Sequence, residues 1–239
     1  MGRAFEYRKA TKMKRWANMA KTFTKIGREI NIAVKEGGTD PKSNPRLRMA
    51  FQNAKAANMP KTTVENAVKK ASAKDSENFT EMVYEGYGPH GIAIIVETTT
   101  DNPTRTVANI RMHFNKCGGS MGVSGSVDYF FNRKGIFKVK AEGLDADMLE
   151  LELIDAGLEE LRQEEDELVL TCAFPDFGSL QKALEDKEMD VSQAELLRIP
   201  TTIKVLTEEQ VEDVIKLIDR LEEDEDVSNV FHSMDMNEA

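Results

Sequence analysis

The feature that most narrows the fold is the order of apolar patterns over residues 133–199. Short runs typical of strands are interleaved there with two stretches that repeat apolar residues at helical spacing. Strand patterns lie at 136–140, 158–162, 168–173 and 194–199, and helical patterns lie at 145–156 and 177–188. The order β-α-β-β-α-β is that of the split βαβ unit, so we predict a ferredoxin-like α+β domain over residues 133–199.

The segments on either side of this unit each supply half of a second one. Strand patterns lie at 91–97, 126–131, 203–206 and 227–232, and helical patterns lie after Asp101-Asn102-Pro103 and at 208–221. Each half reads β-α-β and is too short to close a core by itself. We therefore predict a second ferredoxin-like α+β domain, residues 76–132 with 200–239, into which residues 133–199 are inserted.

The first quarter of the chain has helical patterns throughout and predicts a three-helix bundle behind a basic arm, together residues 1–75. A helix is predicted from near Asn18 to Glu36, where Gly37-Gly38 ends it. The second helix begins at Asn44-Pro45, an N-cap followed by the proline favoured in the first turn. After Met59-Pro60, Thr62 and Glu65 have the spacing of a capping box and predict the start of a third helix.

Charge is divided unequally along the chain. The formal net charge is −10, but residues 1–75 carry +12, residues 76–141 carry +1 and residues 142–239 carry −23. A strongly basic segment beside an acidic one indicates a polyanionic partner for the first and repulsion of that partner by the second. We therefore expect residues 1–75 to bind nucleic acid, although the sequence pI near 5.0 alone would argue against it.

The candidate nucleic-acid-binding residues are the cations of this segment and one aromatic ring that could stack on a base. Cations beside stackable rings suit phosphate binding combined with base stacking. The alternative is that these cations lie on a solvated helix face and a basic tail without a binding role, and that Trp16 is buried in a core. The candidates are Arg8, Lys9, Lys12, Lys14, Arg15, Trp16, Lys21, Lys25, Arg28, Arg46, Arg48, Lys55 and Lys61.

The rest of the sequence has no pattern typical of catalysis. The acidic turns at 164–167 and 222–226 lack the alternating ligands and central glycine of a calcium loop. The three histidines lie on separate elements, and the glycine-rich stretch at 116–125 lacks the GxxxxGK(S/T) pattern of a phosphate-binding loop. We expect no enzyme activity, metal, cofactor or small-molecule substrate; the rival class is a nuclease or hydrolase that uses the acidic turns with a divalent ion.

Neither a membrane span nor a secretory signal is predicted from the sequence. Its two cysteines, Cys117 and Cys172, are far apart and fit a reducing compartment. We therefore expect a cytoplasmic protein. No dimerising heptad is visible, so we expect a monomer.

Several strings taken together resemble the YebC/PmpR family, which also includes a mitochondrial translational activator of cytochrome c oxidase subunit I. They occur in order along essentially the whole chain, and YEGYGPHG is highly specific. The chain differs from the family at its start, where residues 1–15 precede Trp16. The strings are FTKI at 23–26, GG at 37–38, NPRLR at 44–48, ANMPK at 57–61, YEGYGPHG at 84–91, Asp101-Asn102 with Arg105-Thr106, KCGG at 116–119 and GSV at 125–127.

The resemblance implies a helical bundle and two α+β domains, one of them discontinuous. It also implies a cytoplasmic, non-enzymatic regulator of gene expression, and family members are described as DNA-binding regulators or as translation factors at the ribosome. The exposed cations predicted here suit phosphates, which position a protein without specifying sequence. We predict a DNA-binding transcriptional regulator with weak sequence preference; the alternative is a ribosome-associated translation factor that binds RNA.

Overall fold

The computed structural model describes the backbone of residues 3–73 and 75–235, and the side chains of residues 19–73 and 75–235. The chain divides into two compact units, Met1–Asn78 and Phe79–Ala239. Each unit has its own buried apolar core. The predicted α+β class is confirmed, because the first unit is helical and the second combines helices with two four-stranded sheets.

The first unit is the predicted three-helix bundle. Its helices are α1 (Arg3–Gly37), α2 (Pro45–Ala56) and α3 (Lys61–Ser72), and α1 packs against both of the others. Ile30 and Leu47 are fully buried between them. The remaining buried residues of this core are Ile26, Ala33, Val34, Ala50, Ala54, Met59 and Ala71.

Helix α1 begins at Arg3 rather than near Asn18, so the prediction of an arm followed by a helix was wrong for the backbone. Residues 3–17 contain no glycine or proline and are rich in alanine, arginine and lysine, which have high helix propensity. The start was misplaced because no apolar stripe marks those residues. Helix propensity therefore extends α1 through residues that have no apolar pattern.

The connection between α1 and α2 is organised by the buried side chain of Asn44. Its Oδ1 accepts a hydrogen bond from the Leu47 amide (3.0 Å), and its Nδ2 donates to the carbonyls of Ala33 (2.7 Å) and Gly38 (2.9 Å). Gly38 has φ +81°, and a Cβ on Gly37 would lie 2.7 Å from Asn44 Cγ. The predicted helix stop and N-cap are therefore confirmed, and one asparagine joins them.

Replacing Asn44 by alanine should destabilise the bundle by about 2–3 kcal/mol, because a cap and two buried hydrogen bonds are lost together. Hydrogen exchange of the α1 and α2 amides measures this locally in a chain with two units. Asn66→Ala, at an exposed position of α3, is the matched control and should change exchange little. Equal effects of both variants would contradict the role assigned to Asn44.

The predicted capping box at the third helix is wrong. The N-cap of α3 is Pro60, without a side-chain hydrogen bond, so Thr62 already lies inside the first turn. Proline fixes φ near the helical value and needs no side-chain acceptor to start a helix. A capping box does form in the second unit, where Thr207 and Gln210 begin a helix.

The second unit contains eight strands and four helices longer than one turn among the described residues. In chain order they are β1 (Thr80–Tyr87), β2 (Ala93–Thr100), α4 (Pro103–Lys116), β3 (Ser120–Met121), β4 (Phe131–Lys140), α5 (Ala146–Leu153), β5 (Leu158–Glu164), β6 (Glu167–Ala173), α6 (Phe177–Asp186), β7 (Val191–Pro200), α7 (Glu208–Glu223) and β8 (Val227–His232).

The first sheet has the strand order β3-β1-β2-β8 and is antiparallel throughout. Helices α4 and α7 pack on one of its faces, where Ile110 and Phe114 of α4 meet Leu217 of α7 in a buried cluster. A smaller cluster, including Ile95 and Phe131, covers the other face. The sheet joins strands from both sides of the inserted segment, as predicted.

Two strand predictions in this sheet are wrong, and the short strand β3 was missed. Residues 126–131 do not form a strand: a 3-10 turn spans Asp128–Phe130, and β4 starts at Phe131. Among the described residues, the predicted strand at 203–206 is reduced to a single parallel bridge between Lys204 and Met234. Strand β1 was not predicted, because residues 80–83 have no buried alternation that would mark it.

The second sheet has the order β5-β6-β4-β7, which is the order of a split βαβ unit with all neighbours antiparallel. The predicted order of elements along the chain is confirmed. The first and last strands, β4 and β7, extend the segment to residues 131–200. Phe137 and Leu170 of the sheet and Leu153 and Leu180 of the helices are fully buried. That this segment is an autonomous inserted domain stays a prediction.

Arg198 of β7 links the two sheets. The residue is 9% exposed; its Nε donates to Glu97 of β2 (2.8 Å) and its Nη1 to Asp128 (2.7 Å). Both acceptors lie outside the inserted segment. A largely desolvated guanidinium that donates to two different carboxylates is a geometrically specific link.

Cys172 offers a probe of this second sheet. Burial raises the pKa of its thiol to about 11, so at pH 8 roughly 0.1% of it is thiolate even when reagent has access. We expect Cys172 to resist thiol reagents until the sheet opens, whereas the half-buried Cys117 should react first. Mass spectrometry of labelled peptides along a denaturant series measures the order; prompt labelling of Cys172 in the native protein would contradict it.

Candidate nucleic-acid interface

Three of the predicted cations lie together on the outward side of α1. Lys21 is exposed, and Lys25 and Arg28 are partly exposed. The core residues Ile26 and Ile30 face the other side of the helix. The spacing of three or four residues places the cations along one stripe, spanning about two helical turns. We call these three residues the α1 basic stripe.

Arg46 and Arg48 are held by groups of the bundle itself. Arg46 Nη1 lies 2.9 Å from Glu36 Oε2, and Arg48 Nη1 donates to the carbonyls of Pro41 (2.8 Å) and Lys42 (3.0 Å). Both side chains therefore stabilise the connection between α1 and α2. Their positive charge adds to the field of the bundle, and one guanidinium nitrogen of each is engaged within it.

Lys55 and Lys61 are exposed at the end of α2 and the start of α3. The connection between these helices ends with Pro60, so the two lysines are close in sequence but not on one helical stripe. The structure also exposes Lys69 in the last turn of α3, which was not among the predicted residues. A count of cations by segment, rather than by apolar pattern, would have included it.

Lys35 has a structural role at the other end of α1. Its Nζ donates to the carbonyls of Ser76 (3.2 Å) and Glu77 (2.6 Å) and to the Asn78 side chain. Lys70 also contacts Glu77, at 3.4 Å. The segment after α3 is thus tied back to the bundle by these two lysines.

The remaining predicted residues lie outside the described side chains. Their backbone belongs to the first half of α1, which continues from Arg3 into the basic stripe. They are Arg8, Lys9, Lys12, Lys14, Arg15 and Trp16.

The glycine-rich stretch of the second unit is organised by Glu85 of β1, a carboxylate only 5% exposed. It accepts hydrogen bonds from the backbone amides of Gly125 (2.7 Å), Val127 (2.8 Å) and Asp128 (3.0 Å). Gly118 and Gly125 have positive φ, as a turn requires. The stretch is a loop closed on a side chain of the protein, and those captured amides explain why no strand forms at 126–131.

A second buried carboxylate, Asp226, organises the residues around the start of α4. Its Oδ2 accepts from Thr106 Oγ1 (2.8 Å) and from Arg105 Nη2 (2.9 Å). Hydrogen bonding to Asp226, and then to Asp101, raises the pKa of the Arg105 guanidinium. Arg105 and Thr106, which carry part of the family resemblance, therefore link Asp226, immediately before β8, to the first turn of α4.

Two of the three histidines each contact a different aspartate. His90 Nε2 lies 3.2 Å from Asp213 and His113 Nε2 lies 3.5 Å from Asp224; hydrogen bonding to His90, and then to Lys216, lowers the pKa of Asp213. In the part of the chain with described side chains, no three His, Cys, Asp or Glu residues are grouped so that they could hold a metal ion. Nor is any described helix long and apolar enough to cross a membrane.

Comparison with known proteins assigns both units to domain families. Residues 3–74 match the model of the TACO1/YebC protein N-terminal domain, and residues 79–234 match that of the TACO1/YebC second and third domain. The first match begins at residue 3, so it includes the segment predicted as an arm. The recognition of the family from its strings is confirmed.

Similar curated proteins span the whole chain. One from Porphyromonas gingivalis is 57% identical over 240 residues (100% of this chain, 99% of the relative), and one from Flavobacterium johnsoniae is 56% identical over 234 residues (98% and 99%). Both are named probable transcriptional regulatory protein. A crystal structure of a conserved hypothetical protein from Aquifex aeolicus is 36% identical, with a TM-score of 0.78 over 92% of this chain and 91% of that one.

Proposed function

Since the chain belongs to the TACO1/YebC family, we propose that it is a regulator of gene expression that binds duplex DNA through the α1 basic stripe. The names of its relatives support a role in transcription. The observation that carries the proposal is the row of three cations on the outward side of α1, within a segment of charge +12. Long-range attraction by this segment brings the stripe to the phosphates.

The sequence preference of this contact is weak. Lysines contact phosphates as point charges, which fixes orientation without reading bases. Gln52 and Asn53 of α2 are amides that could read base edges, but both are partly buried and their carbonyl oxygens are shielded from solvent. Specific major-groove readout needs such amides at an exposed helix surface.

The second unit directs the nucleic acid to the first. Residues 142–239 carry −23, and a surface of that charge repels phosphates. The protein acts as a monomer in the cytoplasm, without a cofactor, a small-molecule substrate or a catalytic step of its own. A metal-dependent cleavage of DNA or RNA that is lost on neutralising residues 164–167 would contradict this part of the proposal.

The deciding experiment is to crosslink the protein in cells and to sequence the bound DNA and RNA separately. Enrichment at discrete promoters that survives RNase treatment is the expected result. Recovery of ribosomal RNA without promoter enrichment would overturn the transcriptional role and favour the translation factor. A variant with the α1 basic stripe reversed to glutamate is the control, since it should lose the specific signal in either case.

A further inference from the structure

Helix α5 of the second sheet is apolar on two opposite sides. Leu149 and Leu153 are buried at 6% and 0% exposure and hold the helix on the sheet. Met148 and Leu151 are 54% and 68% exposed, and Leu151 lies roughly 180° around the helix from the middle of the buried pair. An exposed apolar stripe on a helix that already buries its other side is not needed for folding.

The exposed stripe continues beyond the helix at both ends. Leu144, before α5, is 40% exposed, and Ile154, in the turn after it, is 53% exposed. Ile154 follows Leu151 by three residues in the turn that continues α5, so Met148, Leu151 and Ile154 share one side. Leu144 adjoins them in sequence, just before the N-cap Asp145. We call Leu144, Met148, Leu151 and Ile154 the α5 surface.

The α5 surface lies within the most one-sided charge segment of the chain. Residues 142–160 contain eight acidic residues and no basic one. Glu152 is paired with Lys187, whereas Asp147 and Glu150 are exposed beside the stripe and are in no ion pair within the described residues. An apolar stripe bordered by carboxylates is complementary to a helix with an apolar side bordered by lysines or arginines.

We propose that the α5 surface binds a basic amphipathic helix of another protein. A nucleic acid does not fit, because its phosphates would face the carboxylates. A symmetric contact with a second copy would place the same carboxylates against one another, since an isologous interface pairs identical surfaces. The apolar side chains of the α5 surface provide the affinity of this contact. The carboxylates beside them favour a basic partner.

This interaction goes beyond nucleic-acid binding and does not depend on it. The first unit would hold the nucleic acid, while the second unit recruits a basic protein through α5. The two activities reside on separate units of the chain. Each can therefore be removed by substitutions that leave the other unchanged.

The test measures binding of the full chain to a synthetic helical peptide with leucines on one side and lysines on the other. Fluorescence anisotropy at 0.15 M salt gives the affinity, and a scrambled peptide of the same composition controls for charge alone. The variant Met148→Ser/Leu151→Ser keeps every charge and should lower the affinity at least about tenfold. Ile203→Ser/Val205→Ser, at exposed apolar positions elsewhere in the unit, should lower it less than about twofold.

A second pair of variants tests the acidic border. Asp147→Asn/Glu150→Gln should weaken binding and reduce its salt dependence, while Glu164→Gln/Glu165→Gln removes the same charge from another turn and should change it little. Thermal unfolding shows that each variant is folded. Equal affinity of the Met148→Ser/Leu151→Ser variant, equal affinity of the scrambled peptide, or a peptide-free dimer that this variant abolishes in sedimentation would each overturn the proposal.

Discussion

Reversing the α1 basic stripe, by Lys21→Glu/Lys25→Glu/Arg28→Glu, is expected to lower the affinity for duplex DNA by at least about 100-fold at 0.15 M salt. Three cations that can approach phosphates are lost, and three anions that repel them are gained. The slope of log affinity against log salt should also become shallower, by the amount that corresponds to about three phosphate contacts. Anisotropy titrations on several unrelated DNA duplexes measure both quantities, and the loss should be similar on each because the contact is to phosphates.

The control for this prediction matches the total change in charge. Lys116, Lys182 and Arg220 are exposed cations of the second unit, and their reversal to glutamate changes the net charge by the same amount. We expect a loss of less than about fivefold, because these residues are outside the basic unit. A loss equal to that of the α1 variant would mean that net charge, rather than the stripe, governs binding.

Replacing Glu85 by alanine is expected to lower the stability of the first sheet by about 3–5 kcal/mol. Its carboxylate accepts three backbone amides of the loop at 125–128. The hydrogen bonds from the amides of Gly125 and Asp128 are partly buried, and the one from Val127 is buried. The variant therefore leaves these donors without an acceptor or admits water to a buried site. Hydrogen exchange of the β1 and β2 amides measures the loss, and exchange at the three loop amides should accelerate most.

Two further variants separate the hydrogen bonds from the charge. Glu85→Gln keeps the shape and one acceptor oxygen, so it should lose about half as much stability as the alanine variant. Glu81→Ala, at an exposed position of the same strand, should change stability by less than about 1 kcal/mol. If Glu85→Ala behaved like Glu81→Ala, the loop would be held by its own backbone and not by the carboxylate.

The elements that the sequence predicts well are those whose signals are local. The ferredoxin-like order of the second sheet follows from alternating and helical periods, because each period reflects which side of that element is buried. The start of α2 follows from Asn44-Pro45, since capping involves residues within one turn. The division of charge, and with it the basic first unit, is a property of composition alone.

The predictions that failed depend on partners far along the chain. Residues 126–131 alternate like a strand, but their amides bind a carboxylate about 40 residues earlier. Residues 203–206 also alternate, but Ile203 and Val205 are 50% and 71% exposed, so the pattern corresponds to no buried side. Periodicity alone could not reveal either outcome.

The sequence by itself determined the order β-α-β-β-α-β of the second sheet, the start of α2 and the basic and acidic segments, because propensity, period and charge belong to neighbouring residues. The tertiary structure decided which partner each charge meets. Arg48 is engaged by carbonyls of a loop and Arg198 by Glu97 of another sheet, whereas Lys21 is exposed on α1. A sequence shows that a charged side chain can donate or accept a hydrogen bond, but it does not show which group is the partner. Only packing brings a partner within hydrogen-bonding distance.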